Sequence, residues 1–144
     1  MKLYFDAAYV AKFYLNEPDS SAVPGLAEQA EAVHSSEWCV AEMACALHRQ
    51  VRERVRTGSE TAEIRKSFRE DLAGGVWVLE PVTRALIEEV DAVVQALPPN
   101  VFLRAGDALH LASARAARFR DIWSNDRHLL KAARRFGLKG RSVS

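Results

Sequence analysis

Apolar residues along the chain fall into short continuous runs separated by longer stretches in which they recur every three to four positions. The short runs have the length of strands, and the longer stretches are typical of amphipathic helices. Strands that alternate with helices favour an α/β fold with three α/β/α layers around a short, mostly parallel central sheet. The predicted strands cover residues 3–5, 32–35, 76–79 and 121–124, with 138–143 as a candidate edge strand.

Turn and capping residues divide the helical stretches. Residues 16–20 form a turn signal, and Ser20 or Ser21 is suited to cap a short helix that runs to about Gln29. Ser35 or Ser36 is expected to cap the long helix after the second strand. The main buried stripe of that helix is predicted to be Val40, Ala44, Leu47, Val51 and Val55.

Similar turn and capping residues mark the ends of the remaining elements. The motif 57–59 separates two helices, Gly74 and Gly75 end the second of them, and the run 76–79 is predicted to be a fully buried strand. Thr83 is expected to cap the next helix. The last helix, 127–136, is basic and amphipathic, and Gly137 is a natural residue to end it.

Composition indicates one domain over residues 1–144, since 144 residues that are 49% hydrophobic can build a substantial core. The net charge is only +1, so any contact with nucleic acid must be local. Cys39 and Cys45 lie on different faces of one helix and are interpreted as small core residues. With no secretory signal and no apolar run of membrane-spanning length, we expect a soluble cytoplasmic protein.

Four acidic residues stand out because their surroundings are apolar. Asp6 and Asp126 each end a predicted strand, whereas Glu42 and Asp107 lie in apolar helical stretches. The carboxyl ends of parallel strands meet at one edge of a sheet, so we expect the four side chains to converge there.

Close carboxylates repel one another, and a divalent cation allows them to remain ionised together. A set of oxygen ligands suits Mg²⁺ or Mn²⁺, and such a site can activate a water and neutralise charge on a phosphodiester. This pattern predicts metal-dependent phosphodiester hydrolysis.

Each acid also has an ordinary structural explanation. Asp6 is suited to cap the helix that follows it, Asp107 is favoured in a first helical turn, and Glu42 can pair with Arg49. Two alternative functions therefore stay open: a non-catalytic RNA- or protein-binding module, and a flavodoxin-like domain that forms an aspartyl phosphate. Zinc is disfavoured because no paired cysteine motif exists.

The motifs around these acids resemble the PIN-domain ribonucleases, most closely the VapC-type toxins of toxin–antitoxin systems. The resemblance places the acids of that family on Asp6, Glu42, Asp107 and Asp126, with Ser124 where the family has Ser or Thr. One departure is that Ala7 and Ala8 follow the first Asp, where the family usually carries Ser, Thr or Asn. The motifs are Tyr4-Phe5-Asp6, Ala41-Glu42, residues 104–110 and Trp123-Ser124-Asn125-Asp126.

The resemblance implies an Mg²⁺- or Mn²⁺-dependent endonuclease that cleaves single-stranded or loop RNA. It also implies a homodimer and a cognate antitoxin whose tail occupies the cleft. We assign Asp6 and Asp107 as direct metal ligands, Glu42 as a ligand or as the group that orients the attacking water, and Asp126 as support. The supporting candidates are Ser124 or Asn125, which would contact phosphate or a metal-bound water, Arg104, and His110, which is placed to hydrogen-bond Asp107 from the next helical turn.

Overall fold

The computed structural model describes residues 1–17 and 20–143. Within them, short strands alternate with helices, as the sequence predicts. The elements are β1 (Lys2–Tyr4), α1 (Ala7–Tyr14), α2 (Ala22–Gln29), β2 (Ala32–Ser36), α3 (Trp38–Arg52), α4 (Gly58–Ala73), β3 (Trp77–Glu80), α5 (Arg84–Gln95), α6 (Ala105–Ala116), β4 (Asp121–Trp123), α7 (Arg127–Ala132), a 3₁₀ turn (Ala133–Phe136) and β5 (Lys139–Arg141).

All strand pairs are parallel. β1 pairs with β2 and β2 with β3, while β4 pairs with β5. A parallel bridge between Phe5 and Trp123 joins the two groups, so the order across the molecule is β3-β2-β1-β4-β5. β1 and β4 are therefore neighbours, and their carboxyl ends lie side by side.

Two apolar cores lie on opposite faces of these strands, which confirms the three-layer arrangement. Successive side chains of a strand point to opposite faces. Accordingly, Tyr4 packs in the core under α6 and α7 with Leu111 and Ile122, whereas Phe5 packs in the core under α1 and α3 with Met43.

The buried face of α3 differs from the predicted stripe. Its buried residues are Cys39, Met43 and Leu47, while Val51 and Val55 are exposed and the helix ends at Arg52. Apolar residues lie on several sides of this helix, so spacing alone does not select a face; packing against α1 and α4 does. Cys45 is also exposed, contrary to its interpretation as a core residue, and both cysteines are free.

The prediction of a fully buried strand over 76–79 is wrong, because β3 lies at the edge of the sheet. Only Trp77 is buried there, and Val78 is partly exposed. An edge strand has a neighbour on one side only, so its faces are less completely covered.

The capping predictions are confirmed for some helices and wrong for others. Thr83 caps α5 through the backbone N–H of Leu86, and Gly137 adopts the left-handed conformation with φ 73°. The cap position of α3 is Glu37, although the Ser36 hydroxyl accepts a hydrogen bond from the backbone N–H of Trp38 at 3.1 Å. Ser21 at the start of α2 makes no capping hydrogen bond from its side chain.

Two sequence predictions concern other parts of the chain. The predicted turn 16–20 falls partly on residues 18 and 19, which lie outside the described residues. Across the ranges that the structure does describe, no helix combines the length and apolar character needed to cross a membrane.

Candidate active site

Asp6 lies two residues after the end of β1 and is almost completely buried. Its Oδ1 accepts a hydrogen bond from the backbone N–H of Tyr9 at 3.0 Å, which caps α1, and its Oδ2 accepts one from the Ser124 hydroxyl at 2.5 Å. Burial raises the pKa of Asp6 to about 6, although attraction to His110 and the two hydrogen bonds oppose that rise. The carboxyl group is thus costly to ionise without a further cation.

Asp126 lies after β4 and is held by backbone groups. Its Oδ1 accepts from the N–H groups of His128 and Leu129 at 2.9 and 3.0 Å, which caps α7. The backbone N–H of Asp126 donates to the hydroxyl oxygen of Ser124 at 2.9 Å. Ser124 therefore connects Asp6 to Asp126.

Asp107 occupies the first turn of α6, and its side chain is mostly buried without capping that helix. Burial raises its pKa, the negative charge of Asp126 raises it further, Arg104 opposes the rise, and Glu42 adds to it. Asp107 in turn helps to raise the pKa of Asp6. Asp107 thus interacts electrostatically with each of the other three acids.

Arg104 bridges two of these acids. Its Nη2 lies 2.9 Å from Oδ2 of Asp126, and its Nε lies 3.4 Å from Oδ2 of Asp107. The guanidinium group is largely exposed, so it can move without breaking a packed core. The sequence marks Arg104 only as a supporting candidate, and no local pattern shows its contact with Asp126.

Glu42 is held from α6 by His110. The Nε2 atom of His110 lies 2.7 Å from Oε1 of Glu42, and its Nδ1 lies 3.0 Å from the hydroxyl of the buried Tyr4. The predicted contact of His110 with Asp107 is wrong, because the imidazole points inward toward α3 and β1. Arg49 pairs with Glu53 rather than with Glu42.

Gly106 is a site residue that sequence reasoning missed. A Cβ on Gly106 would lie 3.2 Å from Nε1 of Trp38 and 3.3 Å from Oε2 of Glu42. The absence of a side chain lets α6 approach α3 closely, and this brings Asp107 toward Glu42. A Gly immediately before Asp107 is the only sequence signal for this approach.

Asn125 connects separate segments of the chain through its side-chain oxygen. Its Oδ1 accepts hydrogen bonds from the Tyr9 hydroxyl at 3.2 Å and from the Ser142 hydroxyl at 2.6 Å. The amide oxygen thus links the end of β4 to α1 and to the segment after β5. The predicted contact of Asn125 with phosphate stays a prediction.

The donor chemistry of the site fits a hard divalent cation, because the four acids provide carboxylate oxygens. Among residues 1–17 and 20–143, no three His, Cys, Asp or Glu side chains form a group that could hold a metal ion as they lie. Mg²⁺ in phosphate-transfer sites is held by only one or two carboxylates, with waters and substrate phosphate completing its coordination. Two of these acids are therefore sufficient.

Comparisons with known proteins agree with this arrangement. A family model described as PIN domain matches residues 3–135. The chain is similar in fold to VapBC2 from Rickettsia felis bound to a DNA fragment from their promoter, with a TM-score of 0.70 at 12% identity over 99% of this chain and 98% of that chain. It is also similar to FitAB bound to an IR36 DNA fragment, with a TM-score of 0.71 at 15% identity over 99% and 94%. For FitAcB from Neisseria gonorrhoeae the TM-score is 0.68 at 15% identity over 97% and 96%. No curated protein matches the sequence.

Proposed function

Because the chain belongs to the PIN-domain family, we propose that it is a metal-dependent endoribonuclease that cleaves single-stranded or loop RNA. One observation supports this proposal most directly. Near the carboxyl ends of β1 and β4, Asp107 interacts electrostatically with Asp6, Glu42 and Asp126. Four acids in which Asp107 repels each of the others are expensive to keep ionised without a ligand that uses them. A divalent cation is such a ligand.

Asp6 and Asp107 are the residues that would hold Mg²⁺ or Mn²⁺. Each oxygen of Asp6 accepts one hydrogen bond and keeps acceptor capacity, and the contact of Asp107 with Arg104 is long, at 3.4 Å. When bound, the ion would lower the pKa of a water and offset negative charge on the scissile phosphate.

The remaining residues orient the reacting groups. Glu42 is fixed by His110 and would accept a proton from the attacking water. Asp126 is fixed by two backbone N–H groups, so its second oxygen stays aimed at the site. Arg104 would exchange its carboxylate partners for a substrate phosphate, with which a guanidinium pairs well.

We further propose that the protein is the toxin of a toxin–antitoxin pair, acts as a homodimer, binds a cognate antitoxin and works in the cytoplasm. The fold neighbours VapBC2 and FitAB, each bound to a DNA fragment, support this proposal. At 12% and 15% identity these two neighbours show only a shared fold. Co-expression with the cognate antitoxin, followed by co-purification, tests the proposed partner.

The sharpest test of the nuclease is Asp107→Asn. Asp107 caps no helix, so the substitution removes charge without removing a cap. With Mn²⁺ and a loop-containing RNA, the variant should lose at least about 100-fold in cleavage rate, the scale expected when transition-state charge stabilisation is removed. Asp91→Asn on the exposed face of α5 is the matched control and should cleave like the wild type. Undiminished cleavage by Asp107→Asn would refute the mechanism.

The identity of the nucleophile is a second test. If water attacks, an RNA with one 2′-deoxy sugar at the cleaved linkage is still cut, and no 2′,3′-cyclic phosphate forms. If the deoxy substitution abolishes cleavage, the ribose hydroxyl is the nucleophile and the proposed role of Glu42 is wrong.

A non-catalytic binding module is the second candidate, since one observation favours it. Asp6 and Asp126 both cap helices, so two of the four acids have a structural use. This alternative predicts no Mn²⁺ binding by calorimetry and no RNA cleavage by the wild-type protein. The family match favours the nuclease over the aspartyl-phosphate alternative.

A further inference from the structure

A cavity of about 780 Å³ opens beside the acidic site, and its wall is cationic. Its apolar floor includes Leu130 and Leu138, and its rim carries the rings of Phe102 and His128. The cations that line it are Lys131, Arg134, Arg135 and Lys139.

The positive charge of this wall is local. Residues 127–144 contain six Lys and Arg and no Asp or Glu, although the whole chain has a net charge of only +1. Over the residues that the structure places, none of the four lining cations makes an ion pair, and the cavity lining includes no carboxylate. The electrostatic field of these four cations can therefore attract an anionic ligand.

The two rings add a surface for stacking. Phe102 is 56% exposed, and its ring centroid lies 4.4 Å from that of His128 at an angle of 47°. An exposed phenylalanine gains free energy when a flat apolar surface covers it. Nucleobases stack on such rings without requiring a particular sequence.

The residues that carry the rings adjoin the acidic site. His128 donates its backbone N–H to Asp126, and Phe102 lies two residues before Arg104, whose guanidinium also contacts Asp126. The rings line the same cavity as the cations, so a strand of nucleic acid that extends from the acidic site into this cavity can contact both.

We propose that this cavity binds the single-stranded RNA segment next to the cleaved linkage. One base stacks on Phe102 and His128, and the following phosphates contact Lys131, Arg134, Arg135 and Lys139. Bases in a duplex are already stacked on their neighbours, so the rings select single strands. An acidic protein segment would use the cations but would not need the exposed ring pair. The choice of RNA rests on the proposed function.

The test measures binding without cleavage. Fluorescence anisotropy of a labelled RNA of about 12 nucleotides, a length within the range of known single-strand sites, is followed in EDTA. The double variant Lys131→Glu/Arg135→Glu should bind roughly tenfold more weakly, and the slope of log affinity against log salt should fall by about 1.4, since each phosphate contact contributes about 0.7. Lys66→Glu/Arg84→Glu changes the net charge equally on other helices and should bind like the wild type.

Phe102 is tested by a matched pair of variants. Phe102→Ala should lose roughly tenfold in single-strand affinity, and Phe102→Leu should lose nearly as much, because an aliphatic side chain covers a base but does not stack on it. All these residues are on the surface, so melting temperatures should stay near that of the wild type. Retention of full affinity by Phe102→Ala would overturn the stacking role.

The outcomes separate this site from the proposed catalytic function. RNA binding that depends on Lys131 and Arg135, together with no cleavage in Mn²⁺, would support the cavity and refute the nuclease. Unchanged RNA affinity in the double variant would overturn the cavity proposal even if the protein cleaves RNA. Loss of binding to poly-glutamate but not to RNA would assign the cavity to an acidic protein segment and also overturn it.

Discussion

The Nε2 atom of His110 lies 2.7 Å from Oε1 of Glu42, which is on a different helix 68 positions earlier in the chain. The other ring nitrogen lies 3.0 Å from the hydroxyl of Tyr4. An ionised carboxylate only accepts hydrogen bonds, so the Nε2–H of His110 donates to Glu42, while Nδ1 and the Tyr4 hydroxyl form the second hydrogen bond of the ring. His110 is thus a positioning residue that acts through Glu42.

We expect His110→Leu to slow RNA cleavage by roughly 10- to 100-fold, because loss of a group that orients a site ligand has effects of this size. It should also lower the free energy of unfolding by about 1–3 kcal/mol, since the buried Tyr4 hydroxyl loses its hydrogen-bond partner on His110. His110→Gln keeps a donor near Nε2 and should recover most of the cleavage rate. The measurements are single-turnover rates and urea denaturation.

A purely structural role for His110 predicts a different pattern. In that case, cleavage by the Leu variant would follow the folded fraction, and Gln would bring no recovery at matched stability. RNA binding in EDTA is the control and should be the same in all three proteins.

The buried Asp6 carboxyl predicts a specific pH dependence of stability in the metal-free protein. Its pKa is raised from 3.8 to about 6, so the folded protein holds its proton more tightly than the unfolded chain does. The contribution of Asp6 to the free energy of unfolding is therefore fully present below about pH 4 and is lost as the pH rises through about 6. Asp6→Asn removes the ionisation but keeps an oxygen for the N–H of Tyr9.

The free energy of unfolding of Asp6→Asn minus that of the wild type should therefore increase between pH 4 and 7 in chelator. The increase should not exceed about 3 kcal/mol, which corresponds to roughly two pKa units. Urea denaturation at several pH values measures this difference. A variant that is clearly less stable than the wild type at pH 7 would show that Asp6 is primarily a structural cap.

Arg104 should compete with metal for the acids it bridges. Arg104→Gln removes a positive charge beside Asp107 and Asp126, so the affinity for Mn²⁺ should rise by about fivefold. Without metal, the variant should be less stable by no more than about 1 kcal/mol, because the Arg104 side chain is 64% exposed. Calorimetric titration with Mn²⁺ measures the affinity.

Arg141→Gln is the matched control, since Arg141 pairs with Asp121 away from the four acids. It should leave the affinity for Mn²⁺ unchanged. Equal effects of the two substitutions would indicate a general charge effect rather than competition at the site.

A hydroxyl introduced at position 8 should increase the cleavage rate, whereas a hydroxyl introduced at position 7 should not. Ala8 is exposed in the first turn of α1, whereas Ala7 is buried. Ala8→Ser should raise the Mn²⁺-dependent cleavage rate by roughly 2- to 10-fold, the range of one added hydrogen bond. Ala7→Ser should lower the melting temperature because it buries a hydroxyl. A rate for Ala8→Ser at or below that of the wild type would contradict this prediction.

The sequence by itself determined the alternation of strands and helices and the parallel sheet. It also placed Asp6 and Asp126 at strand ends, because a strand boundary and a helix cap are local features. Periodicity could not choose the buried face of α3, where apolar residues lie on several sides. It also could not show that β3 is an edge strand, since strand order depends on contacts between distant segments.

Only the tertiary structure decided which groups face each other across the site. The contacts of His110 with Glu42 and of Arg104 with Asp126 join distant segments of the chain, so no local spacing encodes them. The close approach at Gly106 likewise depends on how α6 packs on α3. Where two elements cross, the packing of both elements sets the direction of a side chain. The sequence pattern within one of them is therefore not sufficient to predict that direction.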